Sequence, residues 1–236
     1  MNREYIKINK PVSFPDYTNK LRELDDDFWK KWIFFYLLLF YTNFNNQDLV
    51  DKIIEEQTKK YPRPERLIAK YIRNYLRNNP AFDLHFDIHG EVTNDEDIEG
   101  NYDILITNTY WKNKFYFECK NLNSKQDLVN KYVYSKIYPK NKSPQNDGGV
   151  YRFFNGKYAQ KQNFGGMLGF VLEGDINEIK AKIIKKLDTK FDVTPEGDLK
   201  GILDNSIYEN VFTFNSIHNR NENSFIIHHL LFEFIE

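Results

Sequence analysis

Asp103, Glu118 and Lys120 are the residues whose types and spacing most readily do chemistry together. Glu118 and Lys120 end the run FYFECKN (115–121), where strand alternation puts them on one face and Cys119 on the other. A carboxylate and an ammonium leaving the end of an apolar strand cost desolvation energy unless they are paired or put to use. Asp103 opens the earlier run YDILITN, and Glu65 sits in the first turn of the helical stretch PERLIAKYI (64–72). If 103–109 and 114–120 pair antiparallel, the start of one strand lies beside the end of the other, and Asp103 meets Glu118 and Lys120. Two carboxylates at one point repel unless a proton or cation intervenes. Mg²⁺ commonly takes one or two carboxylates together with water and substrate phosphate oxygens. Phosphate-ester hydrolysis is therefore the chemistry this set suits. Plainer readings stay open at this level. Glu65 also favours the positive end of a helix, Asp103 can cap the turn after Gly100 and Asn101, and Glu118 with Lys120 can form a surface ion pair.

The elements that must position these groups follow from hydrophobic period. Residues 1–23 read as irregular. Helical spacing runs through 26–41 and 47–60, and again from Pro64, a residue suited to the first helical position, to Pro80, which closes that helix. Asp25, Asp26 and Asp27 stand where a helix start favours negative charge. FDLHFDIHGEV (82–92) alternates as a half-buried strand, with Phe82, Leu84, Phe86 and Ile88 on one face and His85, His89 and Glu91 on the other. Two histidines four apart on a strand are about 13 Å from each other, too far to share one ion, so that face reads as solvated, with Glu91 an accessory acid at most. YDILITN and KFYFECKN form a hairpin around Trp111–Asn113. A helix is expected over 124–138, a short one near 150–160, a strand buried on both faces over 164–174, a helix capped by Asp175 over 175–187, and a last strand over 224–235. Cys119 reads as a packing residue. His218, His228 and His229 read as structural, since no Ser or Cys arrangement accompanies them.

Composition bounds the rest. The chain has 236 residues, enough for one large domain or a domain with a helical appendage. A single cysteine excludes an internal disulfide framework and a Cys-based zinc site. The charged N-terminus lacks the apolar run of a signal peptide, and WIFFYLLLFY (32–41) is too short to span a bilayer, so a cytoplasmic protein is expected. Charge is uneven: residues 112–161 carry eleven Lys or Arg against three acids, and 83–103 carry eight acids and no Lys or Arg. Such a pairing suits a cation-holding site that receives a polyanion, or two solvated faces of opposite sign. Lys131, Arg152, Lys157 and Lys161 are the candidate phosphate contacts, with Tyr132, Tyr134, Tyr151 and Tyr158 interleaved to pack beneath or stack on bases.

GNYDILI (100–106) followed by FYFECKN, after a helix beginning PERLIAKYI, resembles the PD-(D/E)XK, or restriction-endonuclease-like, nuclease superfamily over roughly residues 62–187. The resemblance implies an α/β fold whose core is a mixed β-sheet flanked by helices in αβββαβ order. Residues 1–61 form an N-terminal helical extension and 62–236 the nuclease-like domain. It implies Asp103 and Glu118 as metal ligands, the Cys119 backbone carbonyl as a third oxygen, and Glu65 as the helix-borne acid near the metal. Lys120 is implied to hold or help deprotonate the attacking water. Tyr102 stands where the family name has proline, a position without chemistry. The expected activity is Mg²⁺- or Mn²⁺-dependent endonuclease cleavage of nucleic acid, DNA before RNA, in restriction or anti-phage defence. The alternative is a non-catalytic nucleic-acid-binding or assembly module on the same fold. With no ATPase or helicase motif in the chain, regulation falls to a protein partner or a homo-oligomer; no membrane is expected as a partner.

Overall fold

The computed structural model describes residues 17–43, 47–93, 101–134, 136–137, 144–145, 147–155, 157–191, 197–204 and 212–234. In chain order these form α1 (Tyr17–Arg22), α2 (Asp26–Asn43), α3 (Gln47–Gln57), α4 (Pro64–Arg77), α5 (Pro80–Asp83), β1 (Asp87–Thr93), β2 (Asn101–Thr107) and β3 (Phe115–Leu122). Then come α6 (Gln126–Val133), β4 (Lys136–Ile137), β5 (Pro144–Gln145), a 3-10 turn (Tyr151–Phe153), β6 (Phe164–Val171), α7 (Ile176–Phe191), β7 (Asp198–Asp204), β8 (Phe212–Arg220) and β9 (Asn223–Glu233). Seven strands make one mixed sheet in the order β1-β2-β3-β6-β9-β8-β7. The β3–β6 and β6–β9 pairs are parallel and the other four are antiparallel. β4 and β5 form a separate pair. The protein is thus a mixed α/β structure, and no helix of the described residues is long and apolar enough to cross a membrane.

Each face of the sheet has its own core. On one side α2 lays Trp29, Ile33, Leu37 and Phe40, spaced by three and four, against a cluster that includes Phe115, Phe117, Cys119 and Phe164. The aromatic run read as a buried helix therefore helps build the sheet's own core, although it belongs to the segment set apart as an extension. The three aspartates at its start divide the work. Asp25 caps the Phe28 N–H at 2.7 Å, Asp27 pairs with Lys30 at 2.7 Å, and Asp26 accepts from Trp111 Nε1 and Asn113 Nδ2. That last pair ties the β2–β3 hairpin to α2.

On the other side α6, α7 and the 3-10 turn cover Tyr116, Leu122, Ile227 and Leu231. β6 is buried along its whole length, as its unbroken apolar pattern predicts, and a Cβ on Gly166 would lie 2.2 Å from the Phe117 ring. α7 begins with the Glu178 N–H on Asp175 Oδ1 at 2.8 Å, the expected cap. This core also holds a neutral polar chain. Tyr132 Oη meets His229 Nδ1, His229 Nε2 meets Ser216 Oγ, Ser216 Oγ meets His218 Nε2, and His218 Nδ1 meets the Gly197 carbonyl, at 2.8–2.9 Å. A carbonyl only accepts, so His218 carries its proton on Nδ1. The chain then runs one way, Tyr132 donating to His229, His229 to Ser216 and Ser216 to His218.

Several expectations are corrected. Residues 82–86 are not strand. The Asn79 side chain accepts the Ala81 and Phe82 N–H groups, Pro80 opens α5, and Phe82 stacks on Phe86 one helical turn later, ring centres 4.8 Å apart. Leu84, assigned to the buried face, is 76% exposed. Pro80 thus starts a helix as well as ending one. Part of the irregular N-terminal stretch is helical, as α1. The helix over 124–138 stops at Val133. β7 and β8 were not anticipated. The β8–β9 turn uses Asn221 and Glu222, both at positive φ (52° and 65°), without the glycine that usually marks such a turn.

Candidate active site

β2 and β3 pair only as far as Ile104 and Phe117. Beyond that point a side chain joins them, Asp103 Oδ2 accepting the Cys119 N–H at 2.7 Å. Arg73 of α4 fixes the Asp103 main chain by donating to its carbonyl at 2.9 Å. β3 keeps its parallel partner β6 through Leu122. Glu118 and Lys120 therefore leave a strand that is paired on one edge and parted from its neighbour on the other.

The Glu118 side chain is only 1% exposed. Its Oε1 is shared by Lys120 Nζ and, at 2.9 Å, Arg152 Nη1, while its Oε2 is buried without a hydrogen-bond partner. Burial pushes the carboxyl pKa up, but the charges of Lys120 and Arg152, together with hydrogen bonding from Lys120 and the Tyr158 hydroxyl, outweigh it and the net shift is downward. Asp103, half-buried, goes the other way. Burial pushes it up to about 7, and the negative charge of Glu118 adds to the rise, against Lys120 and the Cys119 N–H. Burial opposes the charge on Lys120, but Glu118 and Asp103 prevail and raise its pKa.

A second layer holds Arg152. Asp147, buried, takes its Nε at 3.0 Å and its Nη2 at 3.1 Å, and also takes Lys157 Nζ at 3.2 Å. Arg152 Nη1 also donates to the Tyr158 hydroxyl at 2.8 Å. The chain is strapped here to the end of α6, with Gly148, Gly149 and Val150 N–H groups on the carbonyls of Tyr134, Lys131 and Tyr132 at 2.8–2.9 Å. A Cβ on Gly148 would sit 2.4 Å from the Tyr134 nitrogen, so only glycine permits this approach. Arg220 grips the far side of the same loop through the carbonyls of Phe153, Ala159, Gln160 and Gln162.

Of the residues singled out from sequence, Asp103, Glu118 and Lys120 meet; Arg152, half-buried, joins them as a counter-ion of Glu118, and Lys157, also half-buried, stands behind it on Asp147. Lys131 lies on α6, and its amine makes no ion pair or hydrogen bond among the described residues. Lys161 is exposed and lines a separate cleft of about 440 Å³ with Asp26, Asn113 and Arg220. Glu65 is half-buried, and its charge helps raise the pKa of Asp103 and of Cys119. The Cys119 thiol is buried, as expected of a packing residue, and its carbonyl accepts Lys120 Nζ at 3.2 Å. Tyr132 and Tyr158 are fully buried and present no ring for a base. His85 packs on Trp32 with ring centres 4.7 Å apart, while His89 is exposed. Asp147 was missed; its one signal in sequence is being a rare acid inside the basic stretch, just before Gly148–Gly149.

No family model, curated protein or solved structure matches the chain.

Among the described residues, no three His, Cys, Asp or Glu side chains are arranged to hold a metal ion, so Glu65 does not join Asp103 and Glu118 as a third close carboxylate. The pair alone still fits Mg²⁺, which is commonly held by one or two carboxylates with the remaining positions filled by water and phosphate oxygens. A cation beside Glu118 Oε2 would give that oxygen a partner, and would favour the ionised form of an Asp103 that burial and Glu118 hold near neutrality.

Proposed function

We propose that the protein is a divalent-cation-dependent nuclease of the PD-(D/E)XK kind, acting on DNA. One observation carries this reading: Asp103, Glu118 and Lys120 gather where β2 and β3 part, with one Glu118 oxygen paired to lysine and the other unpartnered. A site built only for stability would be expected to satisfy both oxygens. Asp103 and Glu118 are the residues that would hold Mg²⁺ or Mn²⁺, which when bound supplies Lewis-acid stabilisation and a more acidic water. Asp103 would hold the ion in its ionised form. Lys120, anchored by Glu118 and the Cys119 carbonyl, presents an ammonium that orients the attacking water and stabilises charge growing on the phosphoryl oxygens. We assign the activity to restriction or anti-phage defence, under the control of a partner protein or of self-association.

The deciding experiment incubates the protein with supercoiled, linear and single-stranded DNA, and with RNA, in Mg²⁺, Mn²⁺ or EDTA. Cleavage should require the metal and should vanish in Asp103→Asn and Glu118→Gln variants that remain folded by circular dichroism. Metal-independent cleavage, or activity surviving in both variants, defeats the reading.

A second reading has its own support. Glu118 already carries two cationic partners and no three-acid cluster forms among the described residues, which suits a nucleic-acid-binding or assembly module without metal. Calorimetry separates the two, because such a module takes up DNA and gives no heat with Mg²⁺ or Mn²⁺.

A further inference from the structure

Resting on the metal-dependent reading, we infer that Arg152 is a built-in competitor for the cation seat. Its guanidinium contacts Glu118 Oε1, and Asp147 is the anchor that would retain it in the cluster with a divalent cation on Glu118.

The geometry of the fork carries the argument. Nε and Nη2 of Arg152 engage the two oxygens of Asp147, while only Nη1 reaches Glu118 Oε1. With Nε and Nη2 held on Asp147 the rigid guanidinium stays where it is, 5.6 Å from the Tyr158 ring centroid, so the contact is given up by the Glu118 carboxylate turning from Nη1 toward a bound ion. Glu118 Oε1 already serves two monovalent cations. A divalent ion on the same carboxylate adds like charge beside both, so its binding is coupled to the loss of the Arg152 contact. Lys120 sits two residues away on the same strand and is tied to Glu118 and the Cys119 carbonyl; among the described residues no second acid lies within hydrogen-bond range of its amine. Arg152 has one. The Nη1 hydrogen not donated to Tyr158 is then a free donor beside the metal seat, of the kind that suits a non-bridging phosphodiester oxygen. Asp147 is then a positioning residue: it sets how readily the Arg152–Glu118 contact is given up and where the guanidinium stays.

The test measures Mn²⁺ and Mg²⁺ affinity by calorimetry without nucleic acid. Arg152→Lys keeps the charge but loses the fork, and cannot hold Asp147 bidentately while reaching Glu118. It should bind Mn²⁺ several-fold more tightly than wild type. Arg152→Met should gain about tenfold, within the usual span of coupling between bound groups. Asp147→Asn leaves Arg152 to Glu118 and should weaken binding by a similar factor. In the Arg152→Met background Asp147→Asn should have little further effect, since Asp147 acts through the arginine. Wild-type affinity in Arg152→Lys, or an Asp147→Asn loss undiminished in the Arg152→Met background, overturns the inference and leaves the nuclease reading intact. If Arg152→Met does not fold, the same cycle is run on Arg152→Lys. Absence of divalent binding in wild type and in every Arg152 variant removes the nuclease reading itself.

Discussion

Two polar clusters are buried on the α6–α7 side of the sheet, and they solve burial in opposite ways. The chain from Tyr132 through His229, Ser216 and His218 to the Gly197 carbonyl is neutral, directional and closed. Burial lowers His218 to about 4 and holds His229 well below its usual value, so neither carries charge near neutrality. The cluster around Glu118 concentrates charge, leaves Oε2 without a partner and keeps Asp103 poised near 7. A neutral network whose donors and acceptors all match rigidifies a core. A charged one with an open oxygen and a perturbed carboxyl is where reactivity is to be sought.

The strongest way to break this contrast is Asp103→Asn. The amide can still accept the Cys119 N–H and no longer suffers burial of charge. At pH 8 the variant should be more stable than wild type in urea unfolding, while metal-dependent cleavage falls on the order of 10³-fold. Loss of both stability and activity would make Asp103 structural.

His229→Ala should do the reverse. It strands the Tyr132 hydroxyl, removes the donor to Ser216 and opens a cavity, at a cost of about 3 kcal/mol or more in the same unfolding assay. Cleavage per folded molecule should be unchanged.

The most gradual effect is in the pH dependence, where the clusters pull against each other. His218 titrates near 6.5 when unfolded and about 4 when folded. The unfolded chain takes up its proton first, so this residue's contribution to stability is lost as pH falls from 6.5 towards 4. Asp103 titrates near 3.8 unfolded and about 7 folded. The folded chain keeps a proton that the unfolded chain has lost, so stability declines as pH rises from about 4 to 7. In EDTA, Asp103→Asn should steepen the rise of stability between pH 4 and 7, and His218→Gln should flatten it. Each change is at most about 1.4 kcal/mol per pH unit. Parallel curves for both variants and wild type would remove the assigned titrations.

Much of the fold is written locally. The alternation in 103–106 and 115–120, with the turn around Trp111–Asn113, was enough to place Asp103 near Glu118 and Lys120. The apolar stripe of α2, the cap of α7 and the unbroken β6 were equally legible. Phe82 and Phe86 misled because an alternating pattern of so few residues also suits one helical turn, and the Asn79 cap with Pro80 decided for the turn. β8 stayed hidden because its hairpin turns on Asn221–Glu222, without the glycine that positive φ usually selects.

Sequence alone determined which residues could meet along one hairpin, because strand period and short turns act over a few residues. The tertiary structure alone decided their partners. Asp147 and Arg152 enter the site because Gly148 lets the chain close on α6 and Arg220 holds the loop from behind. Lys161, from the same basic stretch, is delivered to a different cleft. Charge in a sequence is a sum along the chain, whereas the fate of each charge depends on desolvation and on neighbours that only folding brings within a few ångströms.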